Sequence, residues 1–213
     1  MLATDWVTVS SLATAGATLV LAFATFASVK PANRAARAAE RSLLAGLRPV
    51  LMPSRPDDPA QKVGFADNRW FHVPGSQAVC EVADDAIYLA ASMRNVGSGI
   101  AVLHGWYLRP EQLRAGMTDH APLEDFHRLT RDLYIAPGDV GFWQGVFRDP
   151  AEPGFAAARA AIEEPRRIGV EVLYGDHELG RRAISLFSLI PREGGDWFVS
   201  VARHWNVDGA APR

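Results

Sequence analysis

The pattern of hydrophobic and polar positions divides the chain into two parts. Residues 6–29 carry no charged side chain and are bounded by Asp5 and Lys30. As a helix rising 1.5 Å per residue, this stretch is about 36 Å long, which is enough to cross a hydrocarbon core of about 30 Å. Trp6 lies where an interfacial aromatic anchor is expected. The pattern predicts a transmembrane anchor over residues 1–30.

Two other interpretations of the apolar segment stay open. A cleavable secretory signal carries positive charge before its apolar run, whereas only Asp5 and the terminal amine precede this one. A buried core helix usually has a polar face, and this stretch has no charged face. Hydroxyl side chains interrupt the segment, but in a helix they bond to the preceding turn, which lowers their cost in lipid. The spanning helix is therefore favoured.

Basic residues follow the apolar segment and none precedes it. They are Lys30, Arg34, Arg37, Arg41 and Arg48. By the positive-inside rule they place the N-terminus outside and the rest of the chain in the cytoplasm, as in a single-pass protein of the cell inner membrane. The single cysteine, Cys80, is consistent with a reducing compartment.

Residues 31–48 are predicted to form a basic juxtamembrane helix, with Pro31 near its start. On a helical projection the five basic residues share one narrow sector and the leucines lie opposite. Such a helix would lie on the anionic inner leaflet, where each arginine contributes on the order of 1 kcal/mol. A solvated face that serves only as a topology signal is one alternative. Contact with an acidic protein partner is the other.

A stripe of small residues follows the spanning helix at spacings of three and four. Its hydroxyl-bearing members are Ser11, Thr14, Thr18, Thr25 and Ser28. Small side chains let helix backbones approach closely, and hydroxyls can bond across the contact for about 0.6 kcal/mol each. The stripe predicts a helix–helix interface, either with copies of this chain in a homo-oligomer or with another membrane subunit.

Beyond the helix the pattern changes to short apolar or alternating runs. Prolines and aspartates mark residues 49–62 as a linker, which precedes a domain over residues 63–207 and a flexible tail over residues 208–213. The candidate strands are 48–52, 69–72, 77–82, 87–95, 100–109, 132–135, 141–147, 168–174, 183–190 and 197–204. One helix is predicted over 152–164. Short strands with one inserted helix predict a mainly β chain with an antiparallel β-sandwich or a partly open barrel, and the sandwich is favoured.

Large aromatic side chains on these strands are the expected core. They are Trp106, Tyr107, Phe142, Trp143, Tyr174, Phe187, Trp197 and Phe198, with Trp205 a candidate for exposure.

Several short motifs resemble a group of uncharacterised bacterial proteins that are anchored in the membrane by one helix. The motifs are Leu47-Arg48-Pro49-Val50-Leu51, Arg94-Asn95-Val96-Gly97-Ser98-Gly99-Ile100-Ala101 and Val172-Leu173-Tyr174-Gly175-Asp176. The resemblance implies an immunoglobulin-like β-sandwich on a membrane stalk. It implies no activity.

The search for chemistry gives no catalytic, cofactor-binding or metal site. The histidines, at 72, 104, 120, 127, 177 and 204, lack metal-ligand spacing. Asp176-His177-Glu178 and the segment with His120 and His127 are the best local clusters. Asn95-Val96-Gly97-Ser98-Gly99 precedes a strand, so it is a turn and not a phosphate loop. With a net charge of −2 and no basic run in the β part, nucleic acid is not an expected partner.

The sequence therefore favours a membrane-tethered cytoplasmic binding or scaffolding module without evident catalysis. One alternative is an oligomeric membrane effector or pore-forming subunit that uses the Ser/Thr stripe. A second is an enzyme whose site lies on the loops, with His127 or His177 beside carboxylates.

Overall fold

The computed structural model describes residues 2–109, 119–177 and 181–208. Within the N-terminal helix, the side chains of residues 2–5, 28, 30 and 41–45 lie outside that description. The chain forms two compact units, Met1–Gly46 and Leu47–Arg213. The segment 49–62, predicted as a linker, is thus part of the second unit.

The first unit is one α-helix, α1, over Leu2–Gly46. The sequence predicts two helices that meet near Pro31, but α1 continues through this proline. A proline inside a helix removes one hydrogen bond and bends the axis, and the alanine-rich turns on both sides keep the helical conformation. The described side chains of α1 are all exposed.

The second unit is built mainly of strands. Their bounds are β1 Leu51–Pro53, β2 Gln61–Gly64, β3 Trp70–Val73, β4 Gln77–Ala83, β5 Ala86–Asn95, β6 Ala101–Arg109, β7 His127–Ile135, β8 Val140–Phe147, β9 Ile168–Asp176, β10 Arg182–Pro191 and β11 Trp197–Asn206. The helix α2 spans Phe155–Glu163, and a 3-10 turn spans Leu123–Asp125. The mainly β prediction is confirmed, and ten of these strands overlap the predicted ones.

Nine strands form one curled antiparallel sheet in the order β1-β5-β4-β11-β10-β9-β6-β7, with β8 also paired to β5. Strands β1 and β4 pair with different parts of β5, since Leu51 faces Asn95 and Ala78 faces Ala91. Strands β2 and β3 form a separate hairpin.

The main core lies inside the curl of the sheet. Of the predicted core aromatics, Tyr107, Phe142 and Phe198 are half-buried. The buried ones are Trp106, Trp143, Tyr174, Phe187 and Trp197. Trp205 is half-buried, not fully exposed. Burial of these rings supplies much of the hydrophobic stabilisation of the unit.

Two smaller clusters cover outer faces of the sheet. The β2–β3 hairpin and the turn that follows β2 bring Val63, Phe65 and Val73 onto Tyr88 and Ala90 of β5. On another face, the segment around Ala121 and Phe126 covers Leu173 of β9 and Ile184 of β10.

A buried carboxylate fixes this covering segment. The Glu171 side chain is fully buried, forms an ion pair with Arg109 and accepts a hydrogen bond from the Ala121 backbone at 2.9 Å. Its charge is therefore compensated without solvent.

Candidate functional site

A cleft in the β unit arises from a break in the pairing of β6 and β7. Leu103 pairs with Leu133, whereas Gly105 pairs with Arg128, so residues 129–132 lie opposite His104 alone. Extra residues on one strand push the chain out of the sheet. The resulting cleft has a volume of about 710 Å³. It is large enough for a small organic molecule or a peptide side chain.

Charges of both signs line this β6–β7 cleft. They belong to Glu124, Arg128, Asp132 and Arg182, which surround His104. Burial lowers the pKa of the His104 imidazole; Asp132 and Asp176 oppose this effect and Arg182 adds to it. Arg182 is itself held by Asp208, at 2.7 Å. A neutral imidazole between opposite charges suits the binding of a polar or amphipathic ligand.

His127 lies in a second, smaller cleft of about 280 Å³ between β7 and β8. Its ring stacks on Trp106 with centroids 4.6 Å apart, and its Nδ1 is 3.8 Å from Glu152 Oε2. The other oxygen of Glu152 accepts hydrogen bonds from the backbone of Arg148 and Asp149. The loop-site alternative therefore finds one histidine beside a carboxylate. No group of three metal-ligating side chains occurs among the described residues.

The other predicted histidine positions do not join this cleft. His120 Nδ1 donates a hydrogen bond to the Ala121 carbonyl at 2.7 Å, and its ring packs edge to face with Trp205. His177 is exposed after the end of β9, and Glu178 of the predicted cluster lies outside the described residues.

A hydrogen-bonded chain of polar groups connects three strands near the start of the second unit. Ser185 Oγ on β10 lies 2.6 Å from His204 Nδ1 on β11 and 3.0 Å from the Tyr174 hydroxyl on β9. The Leu51 backbone donates to the same hydroxyl at 3.4 Å. Ser185 is fully buried, and its hydroxyl fixes the orientation of the His204 ring through this contact.

His204 borders a cavity of about 270 Å³. Its lining residues are Arg48, Pro49, Val50, Tyr174, Ala183, His204, Trp205 and Asn206. Sequence reasoning missed this arrangement because its members are far apart in the chain. The alternation along β10 and β11 could have indicated that Ser185 and His204 share a face, but not that they pair.

The predicted membrane-surface residues separate into two groups. Arg34 and Arg37 are exposed on α1, and the side chains of Lys30 and Arg41 lie outside the described ones. Arg48 lies beyond the end of α1 at Gly46 and is therefore not on the helical stripe, and its contact with the membrane surface stays a prediction. Arg48 borders the cavity of His204.

The hydroxyls of the predicted helix–helix stripe bond within α1. Thr14, Thr18 and Thr25 each donate to the carbonyl four residues earlier, at 2.7–2.8 Å. Ser11 donates to the carbonyl of Thr8, and the side chain of Ser28 lies outside the described ones. These bonds make the segment compatible with lipid, and they leave the small stripe available for close helix contact.

Cys80 packs against the main core, and burial raises the pKa of its thiol well above the ordinary range. Because the thiolate is the reactive form, this cysteine is suited to a packing role.

Comparison with known protein families, with curated proteins and with solved structures finds no match.

Proposed function

We propose that this chain is a membrane-tethered binding or scaffolding module. In this proposal α1 spans the cell inner membrane with its N-terminus outside, and the β unit is held on the cytoplasmic side. The basic residues after the apolar stretch support this orientation.

The observation that carries the proposal is the bare apolar surface of α1. The span Trp6–Glu40 is long and apolar enough to cross a membrane, its most apolar part has a mean hydropathy of 1.8, and none of that part is buried. Phe23 and Phe26 are 78% and 84% exposed. Transfer of each such ring from water to an apolar environment is favourable by about 2 kcal/mol or more. Lipid or another apolar helix is the environment that stabilises it.

The β unit does not share this property. Its exposed large hydrophobic side chains, among the described residues, are four: Leu47, Trp70, Val96 and Tyr134. A few exposed apolar residues are ordinary on a soluble surface. The contrast between the two units supports a lipid-embedded helix that carries a water-facing domain.

The β6–β7 cleft supports the binding role. It has a volume of about 710 Å³ and lies beside β7, which pairs on one side with β6 and shows no strand pairing on the other among the described residues. An unpaired edge beside a cleft is a common place for peptide recognition.

We also propose the two-layer arrangement that the immunoglobulin-like resemblance implies. Its support is the narrow junction between β4 and β11, where only Trp197–Ala78 and Phe198–Gln77 are paired. Strands β8, β5, β4 and β1 would form one layer, and β11, β10, β9, β6 and β7 the other, around the main core.

Alkaline extraction of membranes tests the anchor. The full-length chain should stay in the membrane pellet after a carbonate wash. Leu19→Arg combined with Phe23→Arg should release it, because each arginine near a helix centre costs about 2.5–3.5 kcal/mol on insertion. Ala36→Arg combined with Ala39→Arg adds the same charge after the uncharged stretch of residues 6–29, among the native basic residues, and should leave the chain in the pellet. Full-length wild-type protein in the supernatant, with its first residues intact, would overturn the proposal.

Cysteine labelling tests the orientation. In a Cys80→Ala background, Ala3→Cys should react with a membrane-impermeant maleimide on intact cells with a permeable outer layer. Glu193→Cys, at an exposed turn of the β unit, should react only after lysis. The reverse pattern would refute the cytoplasmic placement while leaving the anchor in place.

A photo-reactive residue tests the cleft. Placed at Leu129, which lines the β6–β7 cleft, it should crosslink a discrete species in membranes. The same residue at Glu193 should not. Identical crosslinks from both positions would argue against a specific binding site.

A further inference from the structure

The cavity of about 270 Å³ beside His204 has basic side chains in its wall and no acidic one. We propose that this cavity binds a phosphate group, with the Arg48 guanidinium and the His204 imidazole as its principal donors. This site is separate from the β6–β7 cleft. It would stand even if the membrane anchor were refuted.

Arg48 is held in place and has an uncommitted charge. Its carbonyl accepts a hydrogen bond from the Ser98 backbone at 3.0 Å, which fixes the chain at this point. Its side chain is in no ion pair or hydrogen bond with the described residues. A guanidinium offers a planar fork of N–H donors that matches two oxygens of a phosphate. Arg48 is therefore available to an anion from outside the chain.

His204 is oriented by the hydrogen-bonded chain behind it. The bond of 2.6 Å between Ser185 Oγ and its Nδ1 leaves Nε2 as the ring nitrogen for a ligand. Burial and the nearby Arg48 both lower the pKa of His204. The other titratable groups near the ring are Tyr174, behind Ser185, and Arg203, the preceding residue of β11. A bound phosphate would offset the positive charges and favour the protonated imidazole.

The size and the remaining wall favour a small phosphate ester. The cavity of about 270 Å³ is several times larger than a water molecule, which takes up about 30 Å³ in the liquid. It is slightly smaller than the pockets that bind drug-sized molecules, which begin at about 300 Å³. Asn206 adds an amide to the lining, and Trp205 adds an aromatic wall for the organic part of an ester.

Such a group has two sources: a phosphate compound in solution or the headgroup of an anionic lipid. Both sources present the same phosphate oxygens to Arg48 and His204.

Titration of the full-length protein with inorganic phosphate tests the site. In nanodiscs of phosphatidylcholine at a fixed pH, phosphate should shift the His204 ring resonances in a saturable way. Arg48→Gln should weaken this binding about tenfold or more, because one charge-assisted interaction is lost. Arg55→Gln removes an exposed arginine seven residues further on and should leave the affinity unchanged. His204→Gln should also weaken binding, as measured by calorimetry.

Nanodiscs that contain phosphatidic acid distinguish the two sources. A shift of the His204 resonances without added phosphate, lost in Arg48→Gln, assigns the ligand to the lipid headgroup. A shift only with dissolved phosphate assigns it to a soluble compound. No shift in either case, or equal binding by wild type and a folded Arg48→Gln variant, would overturn the proposal. Phosphate binding by a chain that fails to stay in membranes would refute the anchor and leave this site intact.

Discussion

Asn95 connects three segments through one side chain. It is fully buried at the end of β5, and its Nδ2 donates to the carbonyls of Gly99, at 2.6 Å, and of Ile135, at 3.0 Å. Its Oδ1 accepts from the backbone of Val50 and of Gly97. The amide thereby joins the start of the β unit, the turn after β5 and the end of β7.

Asn95→Ala should destabilise the β unit more than its size suggests. Four backbone groups would lose their partner in a buried place, at a cost of about 2–4 kcal/mol in the free energy of unfolding. For a unit of this size the melting temperature should fall by about 5–15 °C. Ser98→Ala, on the exposed part of the same turn, is the control and should change it by less than about 2 °C. Equal melting of the two variants in detergent would contradict this role of Asn95.

The turn after β5 shows what single residues reveal from sequence and what they do not. Its glycines correctly predict a turn between strands. The structure gives a further reason why residues 97 and 99 are glycines. A side chain at either position would collide with the backbone of residues 47–50, which crosses the turn. That contact joins two of the motifs on which the family resemblance depends. No local pattern indicates it, because the partner segment lies nearly fifty residues earlier.

At the scale of elements, the sequence predicts strands buried on both faces closely and strands rich in polar residues poorly. Strands β9 and β10 are apolar runs, and their predicted bounds differ from the observed ones by at most two residues. The sequence does not predict β2, and β7 begins five residues before its predicted start, because polar side chains occupy half or more of the positions in both strands. Pairing with the neighbouring strand stabilises β2 and β7, and the pattern of hydrophobic residues along one strand does not reveal such pairing.

The same limit applies to the candidate sites. The β6–β7 cleft depends on a shift of register, which is a property of two strands together and not of either sequence alone. The cavity of Arg48 and His204 depends on where α1 ends. The sequence placed Arg48 on the helical stripe since its spacing fits, and the termination at Gly46 places it in the β unit.

Phe65 holds the β2–β3 hairpin on the sheet. It is 6% exposed and contacts the rings of Phe71 and Tyr88 edge to face, with centroids 5.7 and 5.1 Å apart. Phe65→Ala should remove about 3 kcal/mol or more of packing free energy. Because the hairpin pairs only within itself among the described strands, the loss should appear as local opening.

Hydrogen exchange measures this expectation. Protection should fall across residues 61–73 in Phe65→Ala and change little in β9 and β10. Trp70→Ala on the same hairpin is the matched control, since Trp70 is 57% exposed and its removal leaves no cavity. Uniform loss of protection through the whole β unit would contradict an independent role for the hairpin.

At the scale of the whole molecule, the chain combines a helix that is long and apolar enough to span a membrane with a unit that has its own core. The β unit buries most of its large rings, whereas α1 buries none of its described side chains. Because α1 continues through Pro31, it is longer than the predicted span. Its length is about 68 Å at 1.5 Å per residue, which is roughly twice the thickness of a hydrocarbon core of about 30 Å.

The small stripe on α1 leads to the prediction that the chain self-associates through this helix. Thr18 and Thr25 satisfy their hydroxyls within the helix, so their value at a contact is that they are small and let a second backbone approach. Thr18→Leu combined with Thr25→Leu should weaken association in detergent about tenfold, as measured by sedimentation or by energy transfer between labelled copies. Ala13→Leu combined with Ala27→Leu places the same side chains on the opposite face of α1 and should have little effect. A wild-type chain that is monomeric, or an oligomer that responds equally to both pairs, would show that α1 meets only lipid along this stripe.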